Sequence, residues 1–115
     1  MTIVSEVRDG VAIIKLSGNL AFDVSLYTLR PKIRDLLQSG VRYFVFDLAN
    51  IGHCDSSGCG EMIGAYTTIL KGDGKVAFAS LSTRVQTLWE RIKVTTIFNI
   101  FVTVQEGLDS LSQPR

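Results

Sequence analysis

The sequence predicts a single α/β domain built on one layer of mixed, largely parallel β-sheet, with about five strands and about four helices. The chain opens with two β-branched segments around an Asp-Gly turn, and short apolar strings then alternate with segments of helical period. Its 115 residues, of which 46% are hydrophobic and 20% charged, fit one domain over 1–115. The polar end of the chain, 112–115, is expected to be a frayed tail.

An antiparallel hairpin is predicted first. Thr2–Val7 and Val11–Leu16 read as strands, and Asp9 and Gly10 between them tolerate the positive φ that tight hairpin turns require. The polar segment 17–19 is expected to follow the second strand.

Helix one is predicted after this hairpin and is expected to end at 39–40. Pro31 falls inside its pattern, so the helix either starts near this residue or kinks there. The apolar residues of the pattern are Leu26, Leu29, Ile33, Leu36 and Leu37.

Three further strands and three further helices follow. Tyr43–Leu48 and Val76–Ala79 are nearly continuous apolar runs, which are typical of strands covered on both faces, and Ile100–Val104 predicts a last strand. Helix two lies between the polar segments 55–58 and 72–74, and Glu106–Leu111 predicts a terminal helix. The predicted buried face of helix two comprises Cys59, Met62, Ile63, Tyr66, Ile69 and Leu70. Thr83 and Gln86 form a capping box for helix three, whose apolar positions are Val85, Leu88, Trp89 and Ile92.

Charge and hydropathy exclude several classes of partner. The 12 Lys and Arg against 11 Asp and Glu lack the basic excess of a nucleic-acid-binding domain. The longest apolar strings, Val11–Ile14 and Tyr43–Phe46, fall far short of the ~18 to 20 residues of a membrane span. The acidic N-terminal segment does not fit a signal peptide, so a soluble, cytoplasmic protein with reduced thiols is expected.

The polar cluster 53–60 follows a buried strand at its carboxyl end, where open α/β sheets place their sites. Ser56 or Ser57 is expected to cap the helix. Gly58 and Gly60 each weaken a first turn by about 1 kcal/mol relative to alanine, and close approach of another backbone is one reason for them. Ordinary cap and turn roles are the alternative.

The sequence here resembles the signature of the STAS domain, specifically that of the stand-alone anti-sigma factor antagonists. The resemblance rests on Phe46-Asp47-Leu48, on Ile51 and on the Asp-Ser-Ser-Gly-Cys-Gly segment 55–60, and it runs over nearly the whole chain. The chain departs from the family at four places. The family usually has apolar residues at the positions of His53 and Cys54, a Leu at Cys59, and often a Gly-Leu pair at 93–94.

The resemblance implies a STAS-like fold and a protein that is not an enzyme. In the family the first serine of the motif, here Ser56, is phosphorylated by a partner that is both anti-sigma factor and serine kinase, and a separate serine phosphatase reverses the step. The unphosphorylated protein binds the anti-sigma factor and the phosphorylated form releases it, which regulates transcription indirectly. A monomer or weak dimer is expected. The alternative is a non-switching STAS scaffold in a stress-signalling or lipid-transport complex.

The predicted site follows from this resemblance. Ser56 is the expected phosphorylation site, and Ser57 is expected to cap the helix. Asp47 is expected to bond nearby backbone N–H groups, with partner contact as the alternative. Asp23 and Asn19 precede helix one near the same face, where solvated loop residues are the alternative. The predicted partner-binding residues are Asp55, Ser56, Ser57, Gly58, Gly60 and Asp23.

No catalytic residue, metal ligand or cofactor is predicted. His53 is the sole histidine, and the serines do not sit in a Gly-x-Ser-x-Gly elbow, so a hydrolytic triad is not expected. His53, Cys54, Asp55 and Cys59 lack the spacing of a zinc site, and no nucleotide-binding motif is present. His53 is expected on an exposed loop and Cys59 as a small apolar core residue. A Cys54–Cys59 redox pair is favoured only by its proximity to a helix start.

Overall fold

A computed structural model describes residues 1–21 and 27–112. They form a five-stranded sheet in the order β1-β2-β3-β4-β5. The strands are β1 Thr2–Arg8, β2 Val11–Leu20, β3 Tyr43–Cys54, β4 Lys75–Ala79 and β5 Ile100–Phe101. The helices are α1 Leu29–Gln38, α2 Ser56–Lys71, α3 Thr83–Arg91 and α4 Val104–Ser112, and residues 94–96 form a 3-10 turn. β1 is antiparallel to β2 and the other neighbours are parallel, which confirms the predicted fold class.

The opening hairpin forms as predicted, but its second strand is longer than expected. Asp9 (φ 53°) and Gly10 (φ 81°) make the turn, and Arg8 pairs with Val11. β2 does not end before 17–19, because parallel pairing with β3 continues through two register shifts to Leu20, opposite Cys54. β3 likewise runs on to Cys54, which places the ends of these two strands side by side.

The helices cover the two faces of the sheet unequally. Helices α1, α2 and α3 pack on one face, against a core that includes Phe44, Phe46 and Phe78. On the other face, α4 is the one helix of residues 1–21 and 27–112 that packs on a small cluster formed by Val11, Val45, Ala77 and Ala79. Because side chains alternate along a strand, the nearly continuous apolar runs of β3 and β4 serve both faces.

α1 starts near Pro31, which is one of the two predicted alternatives, whereas the cap of α3 and the length of the last strand differ from the predictions. α1 begins at Leu29 with Pro31 in its first turn, where a missing N–H costs no intrahelical bond, so the helix starts near the proline. α3 is capped by Ser82, whose hydroxyl accepts from the Val85 N–H, and not by Thr83. The last strand is only Ile100–Phe101, because residues 103 and 106 form a reciprocal capping box that begins α4.

The buried face of α2 is narrower than predicted. Met62 and Ile69 are fully buried and Tyr66 is half-buried, whereas Ile63 and Leu70 are more than 40% exposed. The stripe that meets the sheet runs through 58, 62, 65 and 69, and Ile63 and Leu70 lie beside it. In α3, Ile92 is also exposed, since it lies at the end of the helix.

Ser112 is the last residue of α4. The rest of the predicted tail lies outside the described residues, as does Leu26. None of the helices in ranges 1–21 and 27–112 is long and apolar enough to cross a membrane.

Met62 and Ile63 offer a matched pair of substitutions on α2. Met62→Lys buries an unpaired charge and is expected to lower the free energy of unfolding by about 3–5 kcal/mol. Ile63→Lys adds a charge to an exposed position and is expected to change it by less than about 0.5 kcal/mol. Urea unfolding followed by circular dichroism measures both. Equal destabilisation by the two lysines would contradict the described orientation of α2.

Lys93 adopts the left-handed conformation (φ 66°, ψ 18°) that favours glycine, which accounts for the Gly that the family often has here. Lys93→Gly is expected to raise the free energy of unfolding by about 0.5–1 kcal/mol, because the relieved strain exceeds the entropic cost of glycine. Thermal unfolding of the variant tests this. A lowered melting temperature would show that the lysine side chain contributes more than its backbone strain costs.

Candidate partner-binding site

The junction between β3 and α2 forms the polar end of the sheet. Asp55 has an extended backbone (φ −107°, ψ −176°) and its Oδ1 accepts a hydrogen bond from the Gly58 N–H at 2.9 Å. Asp55 is therefore the N-cap of α2, and the prediction that Ser56 or Ser57 caps this helix is wrong. The charge of this carboxylate also meets the positive end of the helix dipole, which stabilises it.

Ser56 and Ser57 instead occupy the first two positions of α2, and both are exposed. Asp55 uses its side chain for the Gly58 N–H and its carbonyl for the Cys59 N–H, at 2.9 Å each. The N–H groups of Ser56 and Ser57 belong to the first turn of this 16-residue helix, where backbone N–H groups have no carbonyl partner within the helix. The N-terminal turn that bears the two hydroxyls is a favourable environment for negative charge.

Gly58 lets the backbone of β2 approach the first turn of α2. A Cβ at Gly58 would overlap the carbonyl oxygen of Leu20, which also accepts a hydrogen bond from the Asp55 N–H at 3.1 Å. The close approach expected at this glycine is therefore made by the chain itself. Gly60 is different, since it is exposed and a Cβ there would meet nothing within 4 Å.

Of the other two predicted site residues, Asp47 is described by the structure and is not brought to this turn. Asp47 is half-buried within β3, where its Oδ1 accepts from the Ala49 N–H at 3.1 Å. It lines a groove with Lys15 and Val104 on the α4 side of the sheet. Asp23 lies outside the described residues.

Beneath the exposed turn lies a contact between two thiols. The Sγ atoms of Cys54 and Cys59 are 3.0 Å apart, and both residues are about 95% buried. The hydrogen bond between Cys54 and Cys59 raises the pKa of the Cys54 thiol, which burial raises further. The same bond lowers the pKa of Cys59, as does the nearby indole of Trp89. Cys59 packs in the core as predicted, but the 3.0 Å contact was not foreseen.

His53 completes the end of β3, opposite Asn19. Its side chain is exposed as predicted, although it belongs to a strand and not to a loop. It borders a groove of about 640 Å³ between β3 and α3, together with Cys54, Thr83, Arg84, Thr87, Leu88 and Arg91. Two arginines make this flank of the site basic.

An ion pair that the sequence analysis missed positions α2 against α1. Arg30 donates from Nε to Glu61 Oε1 at 2.8 Å and from Nη2 to Oε2 at 3.1 Å, and the Glu61 side chain is only 8% exposed. These bonds to the carboxylate raise the pKa of Arg30. Gly64 makes room for the guanidinium, since a Cβ there would come within 2.7 Å of it. A glycine inside a helical pattern, one turn after a glutamate on its buried side, was the available signal.

These features define a small α/β domain with a serine-bearing helix start at the end of its central strand. A family model of the STAS domain matches residues 2–107. The chain belongs to the STAS domain family.

Solved structures share this fold over nearly the full length of the chain. An anti-sigma factor antagonist from Mycobacterium paratuberculosis is 18% identical with a TM-score of 0.82, covering 97% of this chain and 94% of that one. The anti-sigma factor antagonist SpoIIAA in its unphosphorylated form is 20% identical with a TM-score of 0.74, covering 98% and 100%. Its phosphorylated form from Bacillus gives the same identity and TM-score, covering 95% and 98%. A sulfate transporter family protein from Wolinella succinogenes is 13% identical with a TM-score of 0.73, covering 92% and 88%.

Gly58 and Gly60 provide a matched test of the described junction. Gly58→Ala is expected to lower the free energy of unfolding by at least about 1–3 kcal/mol, because the methyl group collides with backbone of β2. Gly60→Ala is expected to raise it by about 0.5–1 kcal/mol, since the added methyl meets open space in a helix. Chemical denaturation measures both values. A neutral Gly58→Ala would show that β2 and α2 do not approach as closely as described.

Proposed function

We propose that this protein is an anti-sigma factor antagonist in which phosphorylation of Ser56 controls partner binding. The observation that carries the proposal is the position of Ser56, which is exposed at the first helical position of α2 and is preceded by a capping carboxylate. The fold is shared with SpoIIAA, an anti-sigma factor antagonist that also exists in a phosphorylated form.

A phosphate on Ser56 is compatible with the fold. It adds about −1.5 to −2 charges at a helix N-terminus, where free N–H groups and the helix dipole favour an anion. Ser56 is exposed, so a phosphate on its hydroxyl would not disturb the core. The new charge lies next to the Asp55 carboxylate, and the two together would repel an acidic partner surface or occupy the space that a docked partner needs.

The proposed partner surface is the start of α2. Its exposed members are Ser56, Ser57 and Gly60, with Asp55 half-buried beside them. No described residue lies within 4 Å of the place that a Cβ of Gly60 would take, and this open space suits close approach of a partner backbone. Gly58 shapes this surface from below, and Asp23 is proposed to extend it. Asp47, bonded within its own strand, is proposed to have a structural role.

The proposed partners are an anti-sigma factor with serine kinase activity and a serine phosphatase. The protein itself would catalyse nothing, and its regulation of transcription would be indirect. Its proposed location is the cytoplasm, where these partners act.

The decisive experiment is intact-mass spectrometry after incubation with ATP and each GHKL-type serine kinase of the source cell. One added phosphate, about 80 Da, is expected in the parent chain and in Ser57→Ala, and none in Ser56→Ala. Ser57→Ala is the matched control, because both serines are exposed at the same helix start. Phosphate on Ser57 or elsewhere would contradict the proposal. No phosphate with any kinase, together with a stable complex with another protein, would favour the non-switching scaffold.

Ser56→Asp should weaken binding of the kinase that phosphorylates the protein. We expect a loss of about tenfold in affinity, less than phosphate would cause, because one carboxylate carries only part of the phosphate charge. Two variants serve as controls. Ser57→Asp places the same charge on the neighbouring position, and Ser56→Asn supplies a neutral residue of the same size as aspartate. Binding is measured by isothermal titration calorimetry. Unchanged affinity of Ser56→Asp would place the docking surface elsewhere.

A further inference from the structure

The thiol pair below the helix start is a chemical feature that the proposed phosphorylation does not use. Cys54 ends β3 and Cys59 lies in the first turn of α2, so the two residues bracket the segment that carries Ser56. Their sulfur atoms are 3.0 Å apart. A disulfide requires a sulfur separation of about 2.05 Å, so closing the bond needs a movement of only about 1 Å.

We propose that Cys54 and Cys59 are a redox modification site, at which a hydroperoxide converts the two thiols into an intramolecular disulfide that a dithiol reductant reopens. The resulting ring closes over residues 54–59. It would tie the end of the central strand covalently to the start of α2 and would hold Asp55 and Ser56 inside the loop.

The surroundings of the sulfurs give the two cysteines different roles. Cys59 is the better nucleophile, because it lies in the first turn of α2, where the positive end of the helix dipole favours a thiolate, and because the hydrogen bond with Cys54 lowers the pKa of its thiol. The hydrogen bond with Cys59 and burial raise the pKa of the Cys54 thiol, which makes Cys54 the weaker nucleophile. The indole Nε1 of Trp89 is fully buried, has no hydrogen-bond partner of good geometry among the described residues, and lies near both sulfurs.

A small oxidant has a path to this pair. Cys54 lines the groove of about 640 Å³ between β3 and α3, with His53 and Arg84 on its walls. This groove opens to solvent, although each cysteine is itself only 4–5% exposed. A hydroperoxide in this groove therefore comes into contact with Cys54, and the Cys59 sulfur lies only 3.0 Å from the Cys54 sulfur, whereas a protein thiol cannot approach the pair without local opening. This geometry favours an internal disulfide over one between two chains.

Oxidation begins at Cys59, whose thiolate attacks one oxygen of the hydroperoxide. The O–O bond breaks, an alkoxide or hydroxide leaves, and Cys59 becomes a sulfenic acid. The Cys54 thiol then attacks the Cys59 sulfur, the S–S bond forms, and water carries away the Cys54 proton and the sulfenic oxygen. Two electrons pass from the sulfurs to the peroxide. The products are one disulfide, one alcohol (water when the oxidant is hydrogen peroxide) and one water.

The test is intact-mass spectrometry of the folded parent chain after treatment with hydrogen peroxide, with free glutathione in the same tube as an internal reference. The expected product is a monomer that is about 2 Da lighter, has no alkylatable thiol and returns to its original mass with dithiothreitol. Peptide mapping of the parent chain should place the bond between Cys54 and Cys59. A folded chain that keeps both thiols when all the glutathione is oxidised would overturn the proposal, as would disulfide-linked dimers.

Two variants test the assigned order of reaction. Cys54→Ser keeps an O–H donor beside Cys59, so Cys59 should form a stable sulfenic acid, about 16 Da heavier, that dimedone traps. Cys59→Ser should react several-fold more slowly, because the remaining Cys54 thiol lies outside the helix start and burial still raises its pKa. Equal rates, or a faster Cys59→Ser, would overturn the assigned order. The mapping of the parent chain needs neither variant to fold.

The link between this disulfide and Ser56 rests on the proposed function, but the mass measurement uses no ATP and no kinase. Disulfide formation in the parent chain, together with no phosphate on Ser56 in the separate kinase incubation, would support the redox site and contradict the phosphorylation switch. Phosphate on Ser56 with two unreactive thiols would do the reverse.

Discussion

The approach of β2 to the first turn of α2 is the constraint on which the site depends. The Leu20 carbonyl accepts the Asp55 N–H and lies where a Cβ of Gly58 would be. Two backbones can come this close only because one of them carries no side chain. The contact fixes the angle at which α2 leaves the end of β3. Through that angle it sets the exposure of Ser56 and the burial of Cys59.

The rest of the junction is held from below and from the side. Trp89 of α3 packs edge-on against Phe78 of the sheet, with ring centroids 5.4 Å apart, and its indole edge reaches the two thiols. On the other flank, the bidentate pair of Arg30 and Glu61 ties α2 to α1. A polar, exposed helix start is thus supported by an aromatic core and by a largely buried ion pair. Such support holds the helix start in a defined geometry.

The sequence predicts the architecture but not the details of the junction between β3 and α2. Local chemistry sufficed where neighbours in the chain decide the outcome, as in the Asp9-Gly10 turn and the apolar runs of β3 and β4. The lengths of β2 and β3 depend on pairing between Leu20 and Cys54, which periodicity along either strand does not reveal. The pairing of Arg30 with Glu61 joins residues far apart in the chain, and only the packing of α1 on α2 brings them together.

At the N-cap of α2 the prediction from residue type alone was wrong. Asp55 and both serines are all favourable caps, so residue type could not choose among them. The choice depends on where the strand ends, because the N-cap needs an extended backbone and its own bond to the helix. β3 runs as far as Cys54, which leaves Asp55 at the cap and moves Ser56 into the helix.

This displacement by one residue has a chemical consequence. As a cap, the Ser56 hydroxyl would be occupied with a backbone N–H, and a phosphate there would break a bond that holds the helix. At the first helical position the hydroxyl is exposed while Asp55 holds the Gly58 N–H. The capping group and the proposed phosphorylation site are therefore on different residues, so a phosphate on Ser56 would leave the cap in place.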